Sequence, residues 1–330
     1  MTRKIWTAFR PYFRGVYRIL NGLNGFSYDF VRYIRFSGWK ENLKDIEVRN
    51  YSSAMAYHGL EKSLSYKKRN PTSGWSNAER VFSKIKIAKE QNEFGYHDKA
   101  SAQVLFKFLS LPVNVEKRRA KEMLVFLEKL KVTSNDTHGA IDLSQEYYNK
   151  GILNTPEDFF LTRYSLREFK IGKIPYDIVL RAVKLAMKTP SVCNRQEWNV
   201  YHSNDKKVVK EVLQYQNGNK PFGDKAENLL VITTDLKAFF AGAEHYQHWI
   251  DGGLFSMSLM YAFHSLGIAS CPLNWSQTPS KDRALRKAMN LKNNHTVIMM
   301  MIFGYPDETN RICSSSRRPA EEILSKIKLK

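Results

Sequence analysis

Two patterns of apolar positions divide the chain. From residue 41 to 150 apolar side chains recur at helical spacing, with Ala54, Tyr57, Leu60 and Leu64 on one face, and then over 78–91, 97–109 and 115–130. Beyond residue 151 short apolar runs of strand length appear at 198–202, 229–233, 269–273 and 296–303. Helical stretches over 206–214, 249–266 and 281–289 separate them. A further helix carrying Ile178, Val179, Ala182, Leu185 and Ala186 should end near Thr189 and Pro190. Thr155 reads as an N-cap, with Pro156 in the first helical position and Asp158 completing the cap. The pattern predicts an α+β fold, a central sheet flanked by helices and preceded by a mostly helical region. A polar, glycine-ended stretch at 132–139 is the expected link, so the chain divides into residues 1–40, 41–150 and 151–330.

The first 40 residues have their own character. Trp6, Phe9, Phe13, Val16, Leu20 and Leu23 recur at helical spacing beside arginines, with eight basic residues against a single acid, Asp29. Pro11 is expected to interrupt the first turns. This is the pattern of an amphipathic helix lying on an anionic membrane surface. A helix packed on its own domain, or a dimerisation arm, fits the same stripe. No apolar run reaches the ~20 residues that span a bilayer, and no apolar signal core is seen.

Charge and cysteine content narrow the setting. The formal net charge is +20; residues 1–150 hold 27 Lys/Arg against 15 Asp/Glu, and residues 151–330 hold 25 against 17. That excess favours anionic partners of any kind. No aromatic-interleaved or helix-turn-helix signal accompanies the basic run Lys117-Arg118-Arg119, which argues against nucleic acid. Three sparse cysteines, Cys193, Cys271 and Cys313, have no metal-like spacing and fit a reducing, cytoplasmic setting.

Candidate chemistry gathers in four motifs. Pro190-Ser191-Val192-Cys193-Asn194-Arg195-Gln196-Glu197-Trp198 is a polar turn between a helix and a strand, able to hydrogen-bond a flat, polar-edged ligand or simply to pack around its tryptophan. Upstream lies Arg163-Tyr164-Ser165-Leu166-Arg167-Glu168-Phe169. Asp251-Gly252-Gly253 leads to Gly267-Ile268-Ala269-Ser270-Cys271-Pro272. Gly304-Tyr305-Pro306 is followed by Arg317-Arg318-Pro319. In this order across roughly 155–330, the four resemble the FMN-dependent nitroreductase family. The resemblance implies a central mixed sheet and an oxidoreductase that passes two electrons from NADH or NADPH, through flavin N5, to an oxidant in a ping-pong cycle. Nitroaromatics, quinones and biosynthetic intermediates are the oxidant classes. It also implies a homodimer with the flavin at the subunit interface.

The same resemblance assigns residues. Arg163, Tyr164, Ser165 and Arg167 are expected at the flavin, the arginines four apart and able to hold a phosphate. Arg317 and Arg318 would complete that clamp. Pro190, Ser191, Val192 and Asn194 would come from the partner subunit, while Gln196 fixes the turn and Trp198 lies in the core. Pro272, Leu273 and Asn274 should pass the reactive face. Pro272 has no N–H, so the amide of Leu273 or Asn274 is the expected donor near N5. Asn217 and Asn219 are candidates for the pyrimidine edge, with Lys220 near N1. In the helical region, His58-Gly59-Leu60-Glu61-Lys62-Ser63-Leu64 is similar to a segment of nitroreductase-like proteins linked to polysaccharide synthesis. There His58 and Glu61 sit one turn apart as a proton-transfer pair or a plain helix-face hydrogen bond. The competing functional reading is a nitroreductase-like dimer that has lost turnover and acts as a binding or membrane-surface scaffold.

Overall fold

A computed structural model describes residues 2–132 and 138–329, with side chains from residue 13 onward. Most of the expected link at 132–139, and the side chains of Trp6 and Phe9, therefore lie outside the described residues. The chain begins with one long helix, α1 (Thr2–Phe36). It runs through Pro11, contrary to the expected interruption: the helix continues past the one intrahelical bond that the missing N–H removes. No helix among the described residues is long and apolar enough to cross a membrane.

Five helices follow: α2 (Ile46–Ser65), α3 (Trp75–Glu90), α4 (Tyr96–Leu109), α5 (Pro112–Val115) and α6 (Arg118–Lys129). Their apolar stripes close on a shared core that includes Leu60, Trp75, Ile85, Leu105, Phe108 and Leu127. Inside that core lies a charge pair. Arg49 Nε donates to Asp98 at 3.2 Å, and both side chains are fully buried. The guanidinium also bonds the carbonyls of Leu43 and Glu93, while Asp98 accepts from Ser53 and from the Gly95 N–H. The pair is fully satisfied and pins α2 to α4.

After α7 (Gln145–Asn149), α8 (Pro156–Leu161) and α9 (Tyr176–Ala186), the chain enters a four-stranded sheet: β1 (Trp198–Ser203), β2 (Leu229–Asp235), β3 (Ala269–Asn274) and β4 (His295–Gly304). α10 (Lys206–Leu213), α11 (Gln247–Ser265) and α12 (Pro279–Met289) connect the strands. The order is β1-β2-β4-β3 and every strand pair is antiparallel; the parallel component of the mixed sheet is one bridge, Ser165 to Ser270. α9 and α11 cover one face, against Ile232, Met301 and Phe303, and α10 and α12 the other, against Val231, Met300 and Ile302. Burial on both faces explains why β2 and β4 read as unbroken apolar runs. Trp198 is core, stacked on Phe255 at 4.8 Å.

The cap expected before α8 is positional only. Thr155 occupies the N-cap, but at φ −131° and ψ 76° its hydroxyl makes no capping bond. Gly252 has a firmer reason: a Cβ there would lie 2.6 Å from Ile298, so only glycine lets α11 approach the sheet this closely.

Candidate functional site

The expected site residues fall at two corners of the sheet. At the first, residues 163–167 run beside the start of β3, with the Leu166 N–H donating to the Ser270 carbonyl at 3.2 Å. A cleft of about 330 Å³ opens here, lined by Arg163, Tyr164, Ser270 and His264 and by Pro306 and Ile312 of the C-terminal tail. Among the described residues neither Arg163 nor Arg167 pairs with a carboxylate. Arg167 instead donates to Cys313 Sγ at 3.5 Å and lies 6.0 Å from the Phe222 ring. Burial pushes the Cys271 thiol up, while both arginines oppose it. Burial, aided by Arg163, also holds His264 below its usual pKa, and Thr162 Oγ1 is 3.1 Å from the His264 ring. This corner therefore carries unneutralised positive charge beside a cleft, a donor set suited to a phosphate.

β3 is an edge strand, and its alternation separates the two amides expected near N5. The Ser270 carbonyl points outward to Leu166, so residues 270, 272 and 274 face away from β4, while 271 and 273 face into the ladder. Leu273 thus gives its N–H to β4, and Asn274 keeps an outward one. Pro272 occupies an outward position, where the missing N–H costs no ladder bond. The Asn274 carbonyl accepts from Gln216 Nε2 at 3.1 Å, in keeping with that direction.

The second corner is the 190–197 loop. Cys193, Asn194 and Gln196 all adopt positive φ, at 51°, 54° and 56°. Non-glycine residues pay for that conformation and persist there only when their surroundings fix it. Several bonds do so. Ser191 Oγ accepts the Gln196 N–H at 3.0 Å, and Gln196 Nε2 donates to Asn194 Oδ1 at 3.2 Å, which is how Gln196 fixes the turn. Asp251 Oδ2 accepts the Val192 N–H at 2.9 Å. Arg195 is buried, paired with Glu244 at 2.7 Å and bonded to the Ala238 carbonyl at 2.8 Å. Glu197 is buried beside Asp251, and burial raises its pKa well above the usual carboxyl range.

One chain does not bring the two corners together. Asp251 and His264 are 13 residues apart on α11, about 20 Å along the axis, and each touches a different corner. Across the sheet the corners are diagonal, on the order of 30 Å apart, further than a single mononucleotide reaches.

Three other expected groups are placed elsewhere. Asn219 is buried, and its amide donates to the Leu213 and Gln216 carbonyls at 2.8 and 2.9 Å, so the turn uses it internally. Asn217 donates to Gln277 Oε1 at 3.0 Å and accepts from Lys281 at 2.7 Å, while Lys220 is exposed. Arg317 and Arg318 lie on the exposed tail beyond Cys313, and Arg317 bonds the Ser315 carbonyl.

The helical region presses on the second corner. The Tyr57 hydroxyl and His97 Nδ1 share a hydrogen bond of 2.9 Å. Burial raises the Tyr57 phenol, with Glu61 adding and a hydrogen bond from the Asn194 side chain opposing. Burial lowers His97 to about 4, opposed by a bond to the Arg195 backbone. His58 and Glu61 pair at 3.2 Å, half-buried, at the edge of this group. The Tyr57–His97 pair and the Asp251 bond escape a sequence reading because their partners lie 40 and 59 residues away.

The model of the nitroreductase family matches residues 161–247 and 203–305. An NADH dehydrogenase/NAD(P)H nitroreductase of Archaeoglobus fulgidus is 25% identical over 151 residues, covering 44% of this chain and 83% of that protein. The iodotyrosine deiodinase of Nematostella vectensis is 22% identical over 193 residues, covering 49% and 71%. Among solved structures, an FMN-dependent nitroreductase of Clostridium difficile is 19% identical, covering 51% of this chain and 98% of its own, with a TM-score of 0.44. A Desulfovibrio desulfuricans nitroreductase in complex with FMN is 16% identical, covering 54% and 100%, with a TM-score of 0.46.

Proposed function

We propose that this chain, whose residues 161–305 belong to the nitroreductase family, is an FMN-dependent oxidoreductase that works as a homodimer. The observation that carries the reading is Arg163, which lines an open cleft, with Arg167 four residues on, two cations without carboxylate partners among the described residues. They would hold the FMN phosphate, with Ser165 and Tyr164 alongside. The outward amide of Asn274 would donate near N5. The loop bearing Ser191, Val192 and Asn194 lies too far away in the same chain, and a second copy would bring its own loop to the corner. Exposed apolar side chains on α11, Ile250 and Leu254, and on the tail, Ile327 and Leu329, offer surface for that contact.

Bound FMN would supply the redox chemistry, accepting hydride from NADH or NADPH and passing two electrons to a nitroaromatic, a quinone or a biosynthetic intermediate. The chain's own part is to neutralise the phosphate, orient the ring and fix the loop. Three free cysteines, Cys193, Cys271 and Cys313, agree with a cytoplasmic setting.

The test is the absorbance spectrum of the purified full chain, with the flavin released and identified and then titrated back. The reading expects a flavin spectrum bleached by NADH or NADPH. Arg163→Ala or Arg167→Ala should each weaken FMN binding about ten- to hundredfold, the loss of a charge-assisted bond. A colourless protein that takes up no FMN would sink the enzyme reading and leave the scaffold reading in its place.

A further inference from the structure

α1 is attached to the rest of the molecule by its C-terminal third. Tyr28 donates to Asp282 Oδ2 at 2.7 Å, Arg32 to the His295 carbonyl at 3.0 Å, and Tyr33 to the Ala241 carbonyl at 2.7 Å. Arg32 and Tyr33 are buried there. Further toward the N-terminus no side chain from 14 to 27 is buried.

The exposed part is two-sided. At 100° per residue, Val16, Ile19, Leu20, Leu23, Phe26 and Phe30 fall on one stripe, and Tyr28 and Arg32 fall on the opposite side, with Arg14 and Arg18. The helix therefore docks through these polar groups and through Tyr33 and Phe36, packed with Leu236 and Phe239, and turns its Val16–Phe30 stripe away from the protein. Ile19, Leu20, Leu23, Phe26 and Phe30 are 56–73% exposed, a contiguous apolar face that water alone does not suit.

Charge selects what covers it. Residues 1–40 carry eight Lys/Arg and one acid, Asp29. A second copy laid along the stripe would bring two such segments together with no carboxylate before residue 29 to pair with either. A surface of anionic lipid headgroups offers both an apolar layer for the stripe and counter-charge for the arginines, which can reach headgroups on long side chains. We propose that α1 is a peripheral membrane anchor that lies in an anionic lipid surface by its Val16–Phe30 stripe and holds the reductase part on the water side. Because the docked end bonds α12 and the start of β4, the anchor would fix how the sheet is presented to the membrane rather than merely tether it.

The experiment is co-sedimentation of the full-length protein with vesicles of phosphatidylcholine alone, and of phosphatidylcholine mixed with an equal part of phosphatidylglycerol. The expected result is binding roughly tenfold or more stronger to the mixed vesicles, weakened by salt. Leu23→Glu with Phe26→Glu should abolish it, while circular dichroism and flavin content stay as in the unaltered chain, since both positions lie outside every core. Equal sedimentation with both vesicle types would overturn the proposal. So would absence of binding together with a larger assembly that the double variant breaks down, which would assign the stripe to a second copy. Neither outcome depends on whether the protein holds FMN.

Discussion

The α2–α4 contact and the Glu197–Asp251 contact treat buried charge in opposite ways. Between α2 and α4, Arg49 and Asp98 are fully enclosed and every oxygen and nitrogen in reach is used. At the start of β1, Glu197 is equally buried but sits beside another carboxyl, Asp251, next to a loop with three left-handed residues. The first arrangement stabilises a shape. The second stores cost in the segment expected to touch a ligand, as strained functional loops do. α2 joins the two: its buried pair anchors it on one side, and Tyr57 on its other side meets Asn194. The contrast teaches that the helical region is a clamp on the loop rather than a separate appendage.

Breaking the clamp is expected to have the largest effect. Asp98→Ala leaves the buried Arg49 with only Glu93, 3.9 Å away and half-exposed, as a counter-charge and should cost about 3–5 kcal/mol, measured by denaturant unfolding. A loss under about 1 kcal/mol would show that the pair is not the lock described. On the sheet side, Gly252→Ala places a methyl against Ile298 and should cost about 1–3 kcal/mol. If the alanine variant unfolds at the same denaturant concentration as the parent, α11 is not held so tightly.

Acid should also separate the regions. Burial lowers His97, His248 and His295 to about 4 from 6.5, Arg32 also contributing at His248 and Lys292 at His295. The folded chain then binds fewer protons than the unfolded chain, so stability falls as pH drops from 6.5 toward 4. Asp235, pushed up to about 6 by burial, and Glu197 run the other way: the stability tied to their protons is lost as pH rises. The net loss on acidification is therefore smaller than three histidines alone would give. A melting temperature that climbs between pH 6.5 and 4 would reverse this assignment. His97→Gln should flatten the slope of the helical region without touching the other two histidines.

Smaller effects test the junction. Tyr57→Phe removes one hydroxyl shared with His97 and Asn194 and should cost about 1 kcal/mol. The informative readout is hydrogen exchange of the 190–197 amides, which should quicken even though residue 57 belongs to another element. Unchanged exchange would remove the clamp from the account. At the bottom of the scale, Thr155→Ala should change stability by no more than about 0.5 kcal/mol, because the hydroxyl makes no capping bond.

What the chain discloses in advance follows the range of the interaction. The strands at 198–203, 229–235, 269–274 and 295–304 match the apolar runs to within a residue or two; for β2 and β4 the reason is that burial on both faces is written locally. The predicted 115–130 helix is α6, starting three residues later, and the separate short turn of α5 before it goes unread: Asn114 donates its amide to the Phe108 carbonyl at 2.9 Å, a choice no periodicity displays. Site residues behave likewise. Arg163 lines a cleft, with Arg167 four residues on. Asn219 spends its amide on acceptors of its own turn, which the sequence does not display. The partners that discipline the loop, Asp251 and Tyr57, are written far from it in the chain, and only folding brings them to it.

Because the 163–167 corner and the 190–197 loop sit at opposite corners of one chain's sheet, alleles that damage them are expected to complement in the proposed homodimer. A chain altered at Arg163 and Arg167 is inactive alone, and so is one altered at Ser191 and Asn194. Expressed together, each mixed dimer carries one site built from the intact half of each parent, so random pairing restores about a quarter of the wild-type sites. Two inactive chains would then yield a working enzyme, and intragenic rescue would map the subunit boundary without a single structural measurement.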